Sequence, residues 1–210
     1  MTLLSTILSW FPALVILMAG ASFLWMCYSP GIFSVLAFFL SLYGVMALPP
    51  LAYRFHERFY PVKEGISYLR GDEYSPWWGS HQIQFIYIAF PALEALLRLI
   101  PGAFSAWLRL WGAKVGKGVY WTPKLSIADR GLIEIGDRVV FGYQIELYSH
   151  AVKPKNQDLM LYVKKVKIGS NVFLGAGSRL GPGVIVEDGT YIPVTTDLYP
   201  NQKVKRCALL

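Results

Sequence analysis

Two hydrophobic regimes divide the chain. From Met1 to Tyr53 there is no Lys, Arg, Asp or Glu, and the first charge is Arg54. Leu3–Tyr28 and Gly31–Tyr53 are each long enough to cross a hydrocarbon core, which takes about 20 apolar residues per helix. Between them Ser29-Pro30-Gly31 is a turn signal. The pattern predicts a two-helix transmembrane hairpin over residues 1–53. A buried helical pair fits poorly, because a small domain has no room to hide so long an uncharged stretch. A cleaved signal peptide fits poorly too, since Met1-Thr2 offers no positive n-region and the apolar run is too long.

After Gly112 the period changes to six. Val115, Trp121 and Ile127 form one series. After a two-residue slip come Ile135, Phe141 and Leu147, and beyond a longer insertion Ile168, Leu174, Leu180, Val186 and Ile192. Glycine follows the apolar residue at 116, 136, 142, 169, 175 and 181. Four positions after the apolar residue a small or branched one returns: Val119, Leu125, Val139, Ile145, Val172, Ser178, Val184 and Thr190. This is neither a helix period nor the alternation of an isolated strand, so the segment is a repeat. Each unit reads as a short flat strand and a corner, with glycine where the backbone turns sharply.

The region between, 54–112, is an interfacial linker with amphipathic helices. Arg54, Arg58 and Lys63 crowd the end of the second apolar stretch, while the hairpin tip carries no charge. The positive-inside rule then places the tip outside and the C-terminal domain in the cytoplasm, as in a multi-pass protein of the inner (cytoplasmic) membrane. Pro61–Gly79, with Trp77-Trp78, reads as the linker itself. His81–Ala113 is rich in apolar residues but interrupted by Pro91 and Pro101, each of which ends or kinks a helix. Within it Glu94 and Arg98 share one helix face, and Leu93, Leu96, Leu97 and Ile100 the other. Such helices suit a membrane interface or a packed contact with the C-terminal domain. Residues 113–200 are the repeat domain and 201–210 a basic tail.

Composition narrows the partners. The formal charge is +7, but the basic residues are not gathered in a stripe with aromatics, so nucleic acid is not expected. A basic face toward membrane lipid or a phosphate-bearing co-substrate explains it. The two cysteines, Cys27 and Cys207, make no disulfide framework. The ending Cys207-Ala208-Leu209-Leu210 matches a prenylation box only superficially.

The repeats resemble those of the hexapeptide-repeat acyltransferases, the group with serine, galactoside, maltose and colanic-acid acetyltransferases. The resemblance covers about Leu108 to Pro200. Residues 108–116 (LRLWGAKVG) are similar to the family's lead-in to the first coil. Residues 133–137 (IEIGD), 168–177 (IGSNVFLGAG) and 180–184 (LGPGV) are similar to its repeats. The family implies a mainly β protein with a left-handed parallel β-helix, here preceded by two transmembrane helices and amphipathic interfacial helices. Three hexads close each coil, so about eleven hexads make three to four coils stacked at roughly 4.8 Å. It also implies a homotrimer with active sites between adjacent prisms.

The resemblance extends to candidate chemistry. His150, at the end of the sixth hexad and just before the insertion 153–163, matches the family's general base. Imidazole, with an ordinary pKa of about 6.5, suits taking a proton from a hydroxyl as it attacks a thioester. Glu146 and Tyr148 lie near enough in sequence to orient the ring or bind substrate, and Tyr148 and His150 share one side of a strand. Ala176, Gly177 and Ser178 occupy the turn that in the family lies against the pantetheine arm of acetyl-CoA or another acyl-CoA. Lys203 and Lys205, with Arg206, are candidates to meet the cofactor's phosphates. His56 and His81 have no evident catalytic partner. A zinc site on such a prism needs three histidines from neighbouring strands, and the repeats hold one, so no metal is expected. The function this implies is acyl transfer from coenzyme A to a hydroxyl or amine of a membrane-associated acceptor. A lipid acyltransferase fed by acyl carrier protein and a non-catalytic membrane-bound scaffold are the alternatives.

Overall fold

The computed structural model describes residues 2–29, 31–70 and 73–206. Pro30 of the expected turn and the Cys207–Leu210 ending lie outside the described residues. The chain divides into two compact units, 1–62 with 71–93 and 63–70 with 94–210. The stretch read as a linker, 54–112, is thus shared between them.

The first unit is helical. Helices α1 (Leu3–Ser9) and α2 (Phe11–Tyr28) form one apolar span of 26 residues, long and apolar enough to cross a membrane. Helix α3 (Ile32–Met46) packs back along α2, its Ser34 and Ser41 hydroxyls donating to the carbonyls of Met26 and Ala19 at 3.0 and 3.2 Å. The expected second span does not continue straight to Tyr53. At Ala47 the axis bends by 43° into α4 (Leu48–Phe59), which opens on Pro49 and Pro50. Proline lacks the N–H an inner turn needs and is tolerated in the first turn of a new helix, so the chain restarts there. The bent pair meets the length criterion for a span only if its halves are taken as one. Helix α5 (Pro76–Ala89), N-capped by Ser75, buries Trp77, Ile83, Ile86 and Tyr87, and the Tyr87 hydroxyl donates to the Val45 carbonyl at 2.5 Å.

The second unit is built on rungs of two or three residues. After β1 (Gly65–Tyr68), α6 (Ala92–Arg98) and α7 (Ala103–Leu110), the first coil runs through β2 (Lys114–Val115), a bridge at Tyr120 and β3 (Ser126–Ile127). The second runs through β4 (Ile133–Ile135), β5 (Val140–Phe141) and β6 (Glu146–Leu147). A hairpin, β7 (His150–Lys155) and β8 (Asp158–Val163), then leaves the wall. The third coil is β9 (Val166–Ile168), β10 (Phe173–Leu174) and β11 (Arg179–Leu180). The fourth is β12 (Ile185–Val186), β13 (Tyr191–Ile192) and β14 (Asp197–Leu198), and β15 (Lys203–Val204) opens a fifth.

Three parallel sheets result, each made of rungs from successive coils. The first wall is β15-β12-β9-β4-β2, the second β13-β10-β5 with Tyr120, and the third β14-β11-β6-β3. The inward residues are the predicted ones. Ile127, Ile135, Phe141, Leu147, Ile168, Leu174, Leu180, Val186 and Ile192 are all 5% exposed or less. The period then continues to Leu198 and Val204, so Lys203, assigned by composition to a tail, stands on a rung. Although the C-terminal unit is a β-helix, helical residues outnumber strand residues among the described residues, which corrects the expectation of a mainly β protein. Rungs of two residues bring few residues into strand for each coil they build.

The open end of the first coil is covered by α7. Phe104, Trp107, Leu108 and Trp111 are 5% exposed or less, and Phe104 meets Trp121 edge-on at 5.0 Å. Trp121 lies flat on Phe141 at 4.8 Å and donates its indole N–H to Ser105 at 2.7 Å. A solenoid needs such a cap, because its terminal rungs have no neighbour to bury them. Of the two readings of 81–113, packing on the repeat domain holds for α7. The expected linker supplies β1, which pairs antiparallel with β8 and widens the hairpin to three strands. Asn156 and Gln157 make its turn at positive φ.

Coil spacing leaves no room at some glycines. A Cβ on Gly142 would lie 2.5 Å from the Ala176 nitrogen and 2.7 Å from the Leu174 oxygen, backbone atoms of the next coil. Gly142→Ala is expected to cost about 1–3 kcal/mol by overpacking. Gly20→Ala, with nothing within 4 Å of its Cβ, is expected to leave the melting temperature in detergent unchanged or raised.

The outer side of the first wall offers a second test. Glu134 is bridged by Lys114, Lys167 and Lys165 at 3.2, 3.4 and 3.7 Å. Burial pushes its carboxyl up, but the Lys114 hydrogen bond and the Lys167 and Lys114 charges outweigh it and hold the carboxyl below its ordinary 4.5. A depressed carboxyl stabilises the fold above its unfolded value, and that contribution is lost as pH falls through the folded one. Glu134→Gln is therefore expected to melt below wild type at neutral pH, with the deficit closing as the medium is acidified below 4.5.

Candidate active site

The edge between the third and first walls departs from the simple repeat in two successive coils. After β3 the coil is two residues longer and makes a 3₁₀ turn, Arg130–Leu132, led by Asp129. After β6 the chain makes Ser149 and then the hairpin, whose first residue is His150. Ile127 pairs with Leu147, so Asp129, two residues past one, arrives beside Ser149, two residues past the other. The Asp129 side chain is 2% exposed, and its Oδ2 accepts from the Ser149 backbone N–H at 3.0 Å. The same oxygen lies 2.7 Å from His150 Nδ1. Ser149 is held in turn by its hydroxyl donating to the Leu132 carbonyl at 2.9 Å.

A carboxylate is an acceptor only, so its partner nitrogen carries the proton. With Nδ1–H donating to Asp129, the neutral ring has its acceptor lone pair on Nε2. The His150 side chain is 18% exposed, against 2% for Asp129. The buried carboxylate sets the ring's tautomer and angle, and the outer nitrogen is left as a hydrogen-bond acceptor.

Asp129 is the site residue that motif reading missed. Its signal was the two-residue slip between Ile127 and Ile135. An irregularity at a coil corner places a residue off the wall, next to whatever the adjacent coil puts there.

A buried ion network lies next to this turn. Arg130, 1% exposed, donates from Nε to Glu94 Oε1 at 2.6 Å, and Arg98 donates to Glu94 Oε2 at 3.2 Å and to the Leu125 carbonyl at 3.0 Å. The Arg130 guanidinium lies over the Trp107 and Trp111 rings at 6.0 and 5.9 Å. Burial pulls the Arg98 guanidinium below its ordinary value against the opposing Glu94 charge.

The other candidates are distributed around the prism. Glu146 and Tyr148 lie together on the outer side of the third wall, where the Tyr148 hydroxyl donates to the Glu146 carboxylate. Glu146 stands in register with Arg179, which is bidentate to Asp197 at 2.7 and 2.6 Å. Ala176 and Gly177 form the corner from the second to the third wall, a different edge from that of His150. Ser178 is fully buried, its hydroxyl donating to the Pro193 carbonyl and accepting from Thr196 N–H, so it ties two coils together. Lys203 projects from the first wall and Lys205 is exposed beyond it.

The remaining histidines serve packing in the helical unit. His56 Nε2 is 2.5 Å from the Tyr74 hydroxyl, and His81 stacks on Trp77 at 5.0 Å. Burial, with Tyr60 beside it, pushes the Tyr74 hydroxyl up to about 12, so it stays protonated and donates to His56.

No family model matches the sequence, and no curated protein matches it. Solved structures do. A hexapeptide-repeat acetyltransferase from Vibrio cholerae, complexed with acetyl coenzyme A, is 16% identical and aligns over 65% of this chain and 90% of its own, with a TM-score of 0.42. A maltose O-acetyltransferase from Clostridium difficile is 18% identical over 55% of this chain and 78% of its own, TM-score 0.33. A serine acetyltransferase from Entamoeba histolytica is 12% identical over 93% and 70%, TM-score 0.26.

The Asp129–His150 pair predicts a spectroscopic result. The ¹⁵N shifts of the neutral His150 ring are expected to report the Nδ1-protonated tautomer, and Asp129→Ala is expected to abolish that preference. An Nε2-protonated ring in wild type would contradict the geometry.

Proposed function

We propose that this chain is a membrane-anchored acyltransferase. It moves an acetyl or other acyl group from a coenzyme A thioester to a hydroxyl or amine of a membrane-associated acceptor. The observation that carries the reading is the buried Asp129 carboxylate on His150 Nδ1, at the corner where the hairpin leaves the wall. In this reading Nε2 of His150 takes the acceptor's proton as its oxygen or nitrogen attacks the thioester carbonyl. The tetrahedral oxyanion is stabilised by backbone N–H groups, a role suited to corner turns. It then collapses with cleavage of the C–S bond, and the imidazolium returns the proton to the leaving thiolate. Asp129 faces the imidazolium throughout and stabilises it without taking the proton.

The remaining parts of the proposal follow the sequence resemblance. The coil is left-handed and the protein a homotrimer, with Ala176 and Gly177 of one copy approaching His150 of the next. The second wall supports such an assembly. Tyr120, Val140, Phe173 and Tyr191 stand in register on its outer side, and the three aromatics are 63%, 45% and 54% exposed. Ala176 and Gly177 leave their turn without bulk for an extended thiol arm, and Lys203 and Lys205 lie beyond for the cofactor's phosphates. The span Leu3–Tyr28 with the bent α3–α4 pair anchors the chain in the inner membrane, with the β-helix on the cytoplasmic side.

One observation favours acyl carrier protein as a second donor. Lys114, Lys167 and Lys203 all project from the first wall; Lys114 and Lys167, with Lys165 beside them, surround Glu134, and Lys203 stands two rungs beyond Lys167. Such a face is complementary to an acidic carrier.

Thiol release from acetyl-CoA by the detergent-purified protein, over a panel of hydroxyl and amine acceptors, tests the reading. His150→Ala is expected to lower the acceptor-dependent rate by about 10²–10⁴-fold with the melting temperature retained. Equal background release by both proteins, from acyl-CoA and from acyl carrier protein, would leave only a scaffold.

A further inference from the structure

Helix α6 is inside out relative to a helix that faces water. Its charged residues, Glu94 and Arg98, point inward, where both are taken up in the ion network with Arg130. Its outward face and the turn that follows are apolar: Leu96 on the helix and Leu99 and Ile100 just beyond it are 56%, 78% and 61% exposed. The surface continues through the exposed elbow Pro101-Gly102 into α7. There Ala103, Ala106 and Leu110 lie opposite the buried face of Phe104, Trp107 and Leu108, and Leu110 is half exposed. Exposed apolar area is unfavourable in water by about 25 cal/mol per Å². A contiguous shelf of this kind marks a surface that something covers.

Charge identifies the cover. Between Glu94 and Asp129 the sequence contains no acidic residue. The same segment, the cap helices and the first coil, exposes Arg109, Lys114, Lys117 and Lys124. Arg109 braces the cap through the Val115 and Gly116 carbonyls at 2.9 and 2.8 Å, and Lys114 is shared with Glu134. An apolar shelf rimmed by cations is complementary to a bilayer surface, whose acyl region takes the side chains and whose anionic headgroups take the charge.

We propose that the capped end of the β-helix is a bilayer-contact surface of its own. The α6–α7 elbow, led by Leu99 and Ile100, inserts among the headgroups of anionic phospholipid. The cations of the first coil meet the phosphates around it. This contact is separate from the apolar span at the N-terminus and does not depend on the acyl-transfer reading.

The test uses the full chain with Cys27→Ser and Cys207→Ser and a single introduced cysteine carrying an environment-sensitive fluorophore. Leu99→Cys reports the elbow. Val194→Cys, 60% exposed in the fourth coil, is the control. Each protein is moved from detergent into vesicles of phosphatidylglycerol and phosphatidylcholine that contain spin-labelled lipid. The label at 99 is expected to shift to the blue and be quenched, and the label at 194 to do neither. Replacing Lys114, Lys117 and Lys124 with Gln is expected to lower the ratio of docked to undocked elbow by about fivefold per charge. Vesicles of phosphatidylcholine alone are expected to weaken quenching at 99 in the same sense. Equal quenching at 99 and 194, or no vesicle association at all, overturns the proposal. A blue shift at 99 without quenching also overturns it, since a protein partner or a second copy then covers the elbow.

Discussion

Parallel stacking of rungs is the constraint on which the C-terminal unit depends. Each inward side chain rests on its equivalent one coil away, and each rung's backbone bonds to the same two neighbours. Val186 stacks on Ile168, Leu198 on Leu180 and Val204 on Val186, each pair three hexads apart. No rung has a core of its own. Burial of one side chain, worth about 2 kcal/mol, exists only because the coils above and below hold register. Hence glycine is required where backbones meet most closely, as at Gly142 beneath Ala176, and α7 must close the first coil with Phe104 and Trp107.

The same constraint makes chemistry possible at a corner. A regular coil offers only short rungs and tight turns, so catalytic geometry requires departures from regularity. The two largest departures among the described residues fall on one edge in consecutive coils. The 3₁₀ turn after β3 brings a buried carboxylate, and the hairpin after β6 brings an imidazole at its root. Because the coils are locked in register, residues 21 apart in sequence are held within hydrogen-bonding distance. The Glu94–Arg130 bridge adds a tie from α6 to the residue next to Asp129, so the cap is anchored beside the dyad. Removing one member of such a network is costly, because it leaves a charge buried without compensation.

That network also explains where a periodicity argument reversed. Glu94 and Arg98 were legible as one face of a short helix, and a charged face is ordinarily the wet one. Here Arg130, 36 residues on in sequence, offers Glu94 a second cation inside the fold, so the charged face is drawn inward and the leucines are left outside. The bend at Ala47 has a more local origin: Pro49 and Pro50 stand in the first turn of α4, where the chain restarts as a new helix, a feature that apolar length alone does not register.

What the amino-acid sequence determined alone is the repeat: its period, the inward residues as far as Ile192, the two interruptions and the long apolar helix at the N-terminus. These are short-range properties, since hydrophobic spacing and glycine placement act within one or two units. His150 was singled out by the family resemblance, at the end of a hexad before the insertion, whereas Asp129's place beside it arises only when one coil is laid on the next. The partner of a side chain, the direction a charged helix face turns and the closure of the coil's end were decided by tertiary structure. Each depends on residues far away in sequence that compete to satisfy the same buried charge or the same exposed rung.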